Sequence, residues 1–253
     1  MPRVLSALIW LLLCAPVCAI TGNAPSALPN GRHAVMIVGS HGTFCTGAAI
    51  ARDLVLTAAH CVEADTTYKV VEFDAARQPL LLDVREAVRH PQFDLKTLLA
   101  HRATADVALL KMAKPLPADI VPATFGGIAT TPQAGATLTV TGYGVAVRGD
   151  GKTGGTLRAA RLAVTGKPGN LQIRLFDPAT GGTSAGQKSG MGACTGDSGA
   201  PVYDGTALIG VVSWSTGPNA GAGCGGLTGV TPLLLYRDWI VETARKFNSP
   251  IAP

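Results

Sequence analysis

The 253-residue chain is short of aromatic side chains, at 5%, and of charged ones, at 15%. Its basic residues outnumber the acidic ones, for a formal charge of +5, but they are scattered, with no run of five or more like charges. That excludes a nucleic-acid-binding tract and an acidic tail. Internal repeats and low-complexity segments are absent. No Cys-x-x-Cys or His-x-x-x-His spacing occurs, so neither a metal site nor a metal cofactor is expected. After residue 17 no apolar stretch approaches the ~20 residues needed to cross a bilayer.

Glycine and proline are abundant, at 31 and 17, against 47% hydrophobic residues. This combination reads as many short strands and turns around a sizeable core, in one domain or two small ones. Residues 1–19 read as a secretory signal: Arg3 is its lone charge, Val4 to Val17 is nearly all apolar, and Val17-Cys18-Ala19 offers small residues before a cut. Its removal takes Cys14 and Cys18 and leaves Cys45, Cys61, Cys194 and Cys224. Export favours disulfides over free thiols, with three pairings open.

Strands are expected at Ala34 to Val38, Phe44 to Ile50, Tyr68 to Phe73, Leu80 to Val88 and Val107 to Lys111. After an extended proline-rich crossover from Lys114 to Pro122, more follow at Thr137 to Tyr143, Gly155 to Val164, Leu171 to Leu175 and Ala207 to Trp214. Polar, glycine-rich loops fall at 148–154 and 181–192, the first read as mobile and easily nicked. Thr57 to Val62 reads as one helical turn, and Leu235 to Phe247 as an amphipathic C-terminal helix. The pattern is all-β, a sandwich or barrel, with one terminal helix.

Three stretches carry chemistry: Leu56-Thr57-Ala58-Ala59-His60-Cys61, Asp106-Val107-Ala108-Leu109-Leu110 and Gly196-Asp197-Ser198-Gly199-Ala200-Pro201. A serine hydroxyl becomes a nucleophile only when a base takes its proton and donors stabilise the resulting oxyanion. A histidine can be that base, and an aspartate can fix its tautomer. The order His, Asp, Ser differs from that of α/β-hydrolases, and Gly-x-Ser-x-Gly is missing, which excludes an esterase of that type.

Through TAAHC, DVALL and GDSGAP, and through the intervals between them, the sequence resembles the chymotrypsin/trypsin family of serine endopeptidases over essentially all of the chain after residue 19. The resemblance implies two six-stranded antiparallel β-barrels, about residues 20–120 and 121–253, with the active site between them. It implies His60, Asp106 and Ser198 as the catalytic residues, and the backbone N–H groups of Gly196 and Ser198 as the oxyanion hole. It pairs Cys45 with Cys61 and Cys194 with Cys224. Ser213 matches the serine that helps orient the aspartate, and His90 falls in a structural His-Pro loop.

The substrate pocket is assigned to Gly192, Ala193, Thr195, Ser213, Trp214, Ser215 and Gly229. Gly192 stands at the floor, where trypsin-like enzymes carry an aspartate, so cleavage after apolar rather than basic residues is expected. Ile20 resembles the N-terminus of activated members, whose ammonium pairs with the aspartate before the nucleophile, here Asp197. Signal cleavage after Ala19 would then activate the enzyme without a propeptide. Protein or peptide substrates and a protein inhibitor are the implied partners. The mature chain is expected to be monomeric, extracellular or periplasmic, without cofactor and free of the membrane. A catalytically silent binding protein on the same fold is the alternative, and all three triad residues stand against it.

Overall fold

A computed structural model describes residues 20–22, 24–25, 30–74, 76, 78–125, 131–166, 171–180 and 188–251. The leader reading of residues 1–19 lies outside them, as does most of the expected loop at 181–192.

Six strands form a first closed antiparallel barrel: β1 (Ala34–Gly39), β2 (Phe44–Ala51), β3 (Leu54–Thr57), β4 (Tyr68–Phe73), β5 (Pro79–Arg89) and β6 (Ala108–Met112), in the order β1-β2-β3-β6-β5-β4. After the crossover, β7 (Thr124–Phe125) precedes a second set: β8 (Thr137–Gly142), β9 (Arg158–Val164), β10 (Ile173–Phe176), β11 (Pro201–Asp204), β12 (Ala207–Ser215) and β13 (Thr228–Pro232). These run β11-β8-β9-β10-β13-β12, and a β11–β12 pairing closes the second barrel. The fold is thus all-β in two six-stranded barrels. β7 adds to it, pairing parallel with β12 through Thr124 opposite Ala207. A two-residue strand inside a proline-bounded connection leaves no periodic signal in the sequence.

Two strands in the first half are apolar on both faces, and packing explains why. Along β3, Leu54 and Leu56 face an inter-barrel cluster while Val55 faces the core of the first barrel. β6 does the same, with Leu109 in the shared cluster and Leu110 in the barrel core. Successive side chains of a strand point to opposite sides, so an unbroken apolar run is what a strand buried on both faces requires. The shared cluster also takes Tyr203, Leu208 and Val211 from the second barrel and Ile240 and Phe247 from the C-terminal end. It is the main apolar seam between the halves.

Two α-helices are present among the described residues. α1 (Leu95–Leu99) opens on Asp94, whose Oδ1 accepts the Thr97 N–H at 2.6 Å. That bond holds its carboxyl below the usual range. α2 (Arg237–Lys246) follows a 3-10 turn at Leu233–Tyr236, so the C-terminal helix begins two residues later than its sequence pattern suggests. Its Ile240, Val241 and Ala244 are buried, with Asp238 in the first turn and Arg245 and Lys246 in the last, as the helix dipole favours. The loop at 148–154 contains a 3-10 turn, with Asp150 accepting from Lys152 N–H at 3.1 Å and Thr153 Oγ1 accepting from Ala146 and Val147 N–H at 3.1 Å each.

Candidate active site

His60 rides on a 3-10 turn, Ala59–Cys61, that directly follows β3. Cys61 is bonded to Cys45 of β2, tying that turn to the neighbouring strand. Asp106 immediately precedes the segment that becomes β6 and is fully buried. Burying a carboxylate is costly unless its oxygens are hydrogen-bonded, and here both are. Oδ1 accepts the His60 backbone N–H at 2.9 Å, and Oδ2 accepts His60 Nδ1–H at 2.9 Å and the Ser213 hydroxyl at 2.5 Å. Holding Nδ1 as the donor leaves Nε2 as the basic nitrogen. The His60 side chain stays 19% exposed, so its ring edge reaches solvent.

Ser198 lies in the tight turn between Cys194 and β11 and is partly exposed. Gly196 and Gly199 adopt φ of 94° and 77°, the left-handed region open to glycine. Side chains there would also collide: a Cβ on Gly196 would lie 2.3 Å from the Phe44 ring, and one on Gly199 would lie 2.1 Å from Thr57 Oγ1. Cys194 is bonded to Cys224, bracing the turn from the other side.

The turn is docked on the first barrel by Thr46 of β2, a residue that belongs to no sequence motif. Its N–H donates to Ser198 O at 2.8 Å, and its hydroxyl donates to Gly196 O at 2.8 Å while accepting Tyr143 N–H at 3.1 Å. The Thr57 hydroxyl in turn donates to Thr46 O at 2.8 Å. The sole trace of this in sequence is a hydroxyl inside the apolar run Phe44 to Ile50.

His60, Ser198, Gly196, Thr195, Cys194 and Ser215 all line one open cavity of about 420 Å³, as do Glu63 and His41. The remaining pocket candidates are not on that wall. Gly192 and Ala193 are buried, Gly192 bridging to Thr21 and Ala193 N–H donating to Thr228 Oγ1 at 3.0 Å. Ser213 is turned to Asp106, and Gly229 lies against the Trp214 ring. A buried acid, Asp177, lies beside Gly190 and Met191, the residues before Gly192. Its oxygens accept Met191 N–H at 2.8 Å and Ala179 N–H at 2.9 Å, so it is engaged by backbone.

Asp197 is also fully buried. Burial pushes its carboxyl up to about 7, although Cys194 N–H and Gly144 N–H donate to it at 2.9 and 2.8 Å. Among the described residues no cation pairs with it. Ile20 is fully buried in the core of the second barrel, in one cluster with Ala193 and Ala200. His90 is set apart from the cavity, packed edge-on against Tyr236 at 5.2 Å and tilted against Trp239 at 4.9 Å. Burial lowers its pKa.

Two closed six-stranded barrels with an open cavity lined from both place the chain in the chymotrypsin-like class of folds. The Trypsin family model matches residues 20–240, and the chain belongs to the trypsin family of serine endopeptidases. It is 28% identical over 236 residues to Trypsin iota of Drosophila melanogaster, covering 89% of this chain and 88% of the relative. Kallikrein-4 of Homo sapiens is 27% identical over 212 residues, covering 80% and 78%. The structure of human heparin binding protein superposes with a TM-score of 0.69 at 22% identity, over 92% of this chain and 99% of that one, a likeness of fold.

Proposed function

We propose that the chain is an exported endopeptidase that cuts protein or peptide substrates through Ser198, His60 and Asp106. The observation that carries this reading is the buried Asp106 carboxylate fixing His60 Nδ1–H, while His60 and Ser198 face one cavity. His60 Nε2 takes the Ser198 proton as Oγ attacks the peptide carbonyl, and the same proton then goes to the leaving amine. The N–H groups of Gly196 and Ser198 receive the oxyanion, and water releases the acyl group by the reverse sequence. Ser213 donates to the same Asp106 oxygen, Oδ2, that accepts His60 Nδ1–H, and so helps hold that carboxylate in place.

Reaction of Ser198 with a fluorophosphonate probe tests the reading. Ser198→Ala should fold normally and lose kcat by on the order of a million-fold, and Asp106→Asn by roughly ten-thousand-fold, through the wrong histidine tautomer. A folded protein whose Ser198 stays unlabelled would favour a catalytically silent binding protein, the reading suggested by the name of its structural neighbour, heparin binding protein.

Gly192 carries no charge and meets Gly225 and Thr228, and the nearby Asp177 is already engaged by backbone N–H groups, which favours an apolar side chain before the cut. A buried cation there would be left unpaired, at a cost of several kcal/mol, order of magnitude. Digested peptides analysed by mass spectrometry should end in Leu, Phe, Tyr or Met more often than in Arg or Lys. The burial of Ile20, and an Asp197 that no cation among the described residues pairs with, support activation by cleavage before Ile20. The freed ammonium would supply the counter-charge Asp197 lacks.

A further inference from the structure

We infer that His101 and Arg174 make the stretch of cleft beyond Ser215 a subsite for an acidic side chain of the substrate, a reading that rests on the proposed protease activity. Trp214 lies between Ser213, which holds Asp106, and Ser215, which is on the cavity wall. An indole there would ordinarily offer an apolar face to a bound peptide. In this chain that face is closed. Trp214 is only 9% exposed, and Gly229 packs so tightly that a Cβ on it would lie 2.1 Å from the ring. The imidazole of His101 stacks on the indole with ring centroids 4.7 Å apart and an angle of 16° between planes. His101 reaches this position from the turn that ends α1, its N–H donating to Leu98 O at 2.8 Å.

Around Trp214, next to Ser215 of the cavity wall, the chain gathers a set of donors. Arg174, opposite Gly229 in the β10–β13 register, holds its guanidinium carbon 5.8 Å from the Trp214 ring. It is exposed, its Nε donates to Gln172 Oε1 at 3.3 Å, and among the described residues no carboxylate lies within ion-pair distance of it. Arg148 donates to Ala222 O at 2.9 Å, beside Gly223, whose carbonyl accepts the Ser215 hydroxyl at 3.5 Å. Asp106, the acid closest in sequence to His101, is buried and occupied by His60 and Ser213. A guanidinium offers several donors and no acceptor, and an imidazole keeps at least one N–H donor in every form. A carboxylate is the side chain that fits such a wall.

The test is equilibrium binding of a peptide series to the Ser198→Ala protein, with Glu or Ala scanned through the positions flanking the cut. Glu should bind about three- to fivefold tighter at one or two adjacent positions on one side only, the scale of a solvent-exposed ion pair. The advantage should shrink toward unity in about 1 M salt. Arg174→Glu should reverse it, and His101→Ala should uncover the indole and raise affinity for Phe at the same position. Equal affinity for Glu and Ala throughout, a Glu preference that survives Arg174→Glu, or no peptide binding at all would each overturn the inference. Binding to Ser198→Ala requires no turnover, so failure of the nucleophile assignment registers separately, in the fluorophosphonate experiment.

Discussion

At the scale of single residues, the site depends on a side chain with no chemistry of its own. Thr46 donates to Gly196 O, accepts from Tyr143 N–H and is fully buried. It connects the serine turn to the strand next to His60's turn. Thr46→Val keeps the shape and takes the Thr46 hydroxyl from one buried backbone group, Gly196 O, and one part-buried group, Tyr143 N–H, which should cost about 1–3 kcal/mol of stability. Small displacements of positioned groups are expensive in rate, so kcat should also drop by about tenfold with KM little changed. Thr46→Ser should restore both, and steady-state kinetics together with urea midpoints checks this. An unchanged kcat in a destabilised Thr46→Val protein would reduce Thr46 to a packing residue.

At the scale of elements, the C-terminal helix is tied to the first barrel by a polar cluster as well as by the apolar seam. Lys111 of β6 is buried and pairs with Asp53, in the turn between β2 and β3, and with Ser249, just beyond α2. The Ser249 hydroxyl closes the ring by donating to Asp53 Oδ1 at 2.6 Å. Burial pushes the Asp53 carboxyl up, but the bonds from Lys111 and Ser249 outweigh it and leave its pKa below the usual value. Removing one partner of a buried ion pair costs roughly 3–5 kcal/mol, and the part-exposed Asp53 places this pair at the lower end. Lys111→Ala should therefore lower the urea midpoint strongly, while Lys246→Ala, which breaks the exposed pair with Glu242 at 2.7 Å, should shift it little.

At the scale of the whole molecule, the two barrels are joined at a shared cluster, and the cavity takes residues from each half. Phe44 and His60 come from the first barrel's segment, and Gly196, Ser198 and Ser215 from the second's. If the chain is cut before Ile20 as proposed, its stability should depend on that cut. With the chain uncut, Asp197 has a folded pKa of about 7, above its unfolded value of ~3.9. The folded state then holds a proton that the unfolded state has lost. Stability is full below ~3.9 and falls as pH rises toward about 7. Asp197→Asn should remove that one-proton slope, and cleavage before Ile20 should abolish it by supplying a counter-charge. Chemical denaturation at a series of pH values measures both. A slope that is unchanged in Asp197→Asn would assign it to another group, such as Glu72, which burial and Asp119 push up to about 7.

The sequence by itself determined the strand-rich composition, the order of His60, Asp106 and Ser198, and, by family resemblance, the barrel count and both disulfides. These are local or family-level patterns: motifs of contiguous residues, and apolar runs set by burial on both faces of a strand. β11 and β13 escaped notice because they are short and carry motif or glycine residues rather than an alternating pattern. Tertiary structure alone decided the rest. Thr46 becomes a hub only because β2 meets the serine turn across 150 residues of chain. Gly192 is bridged to Thr21, and Gly229 is packed against the Trp214 ring, contacts that no local pattern announces. His101, which has no motif at all, gains a partner because the turn after α1 folds it onto an indole 113 residues away in sequence, as the numbering of the stacked pair records. Contacts between residues far apart in the chain are settled by packing and hydrogen bonding of the whole, and no local pattern encodes them.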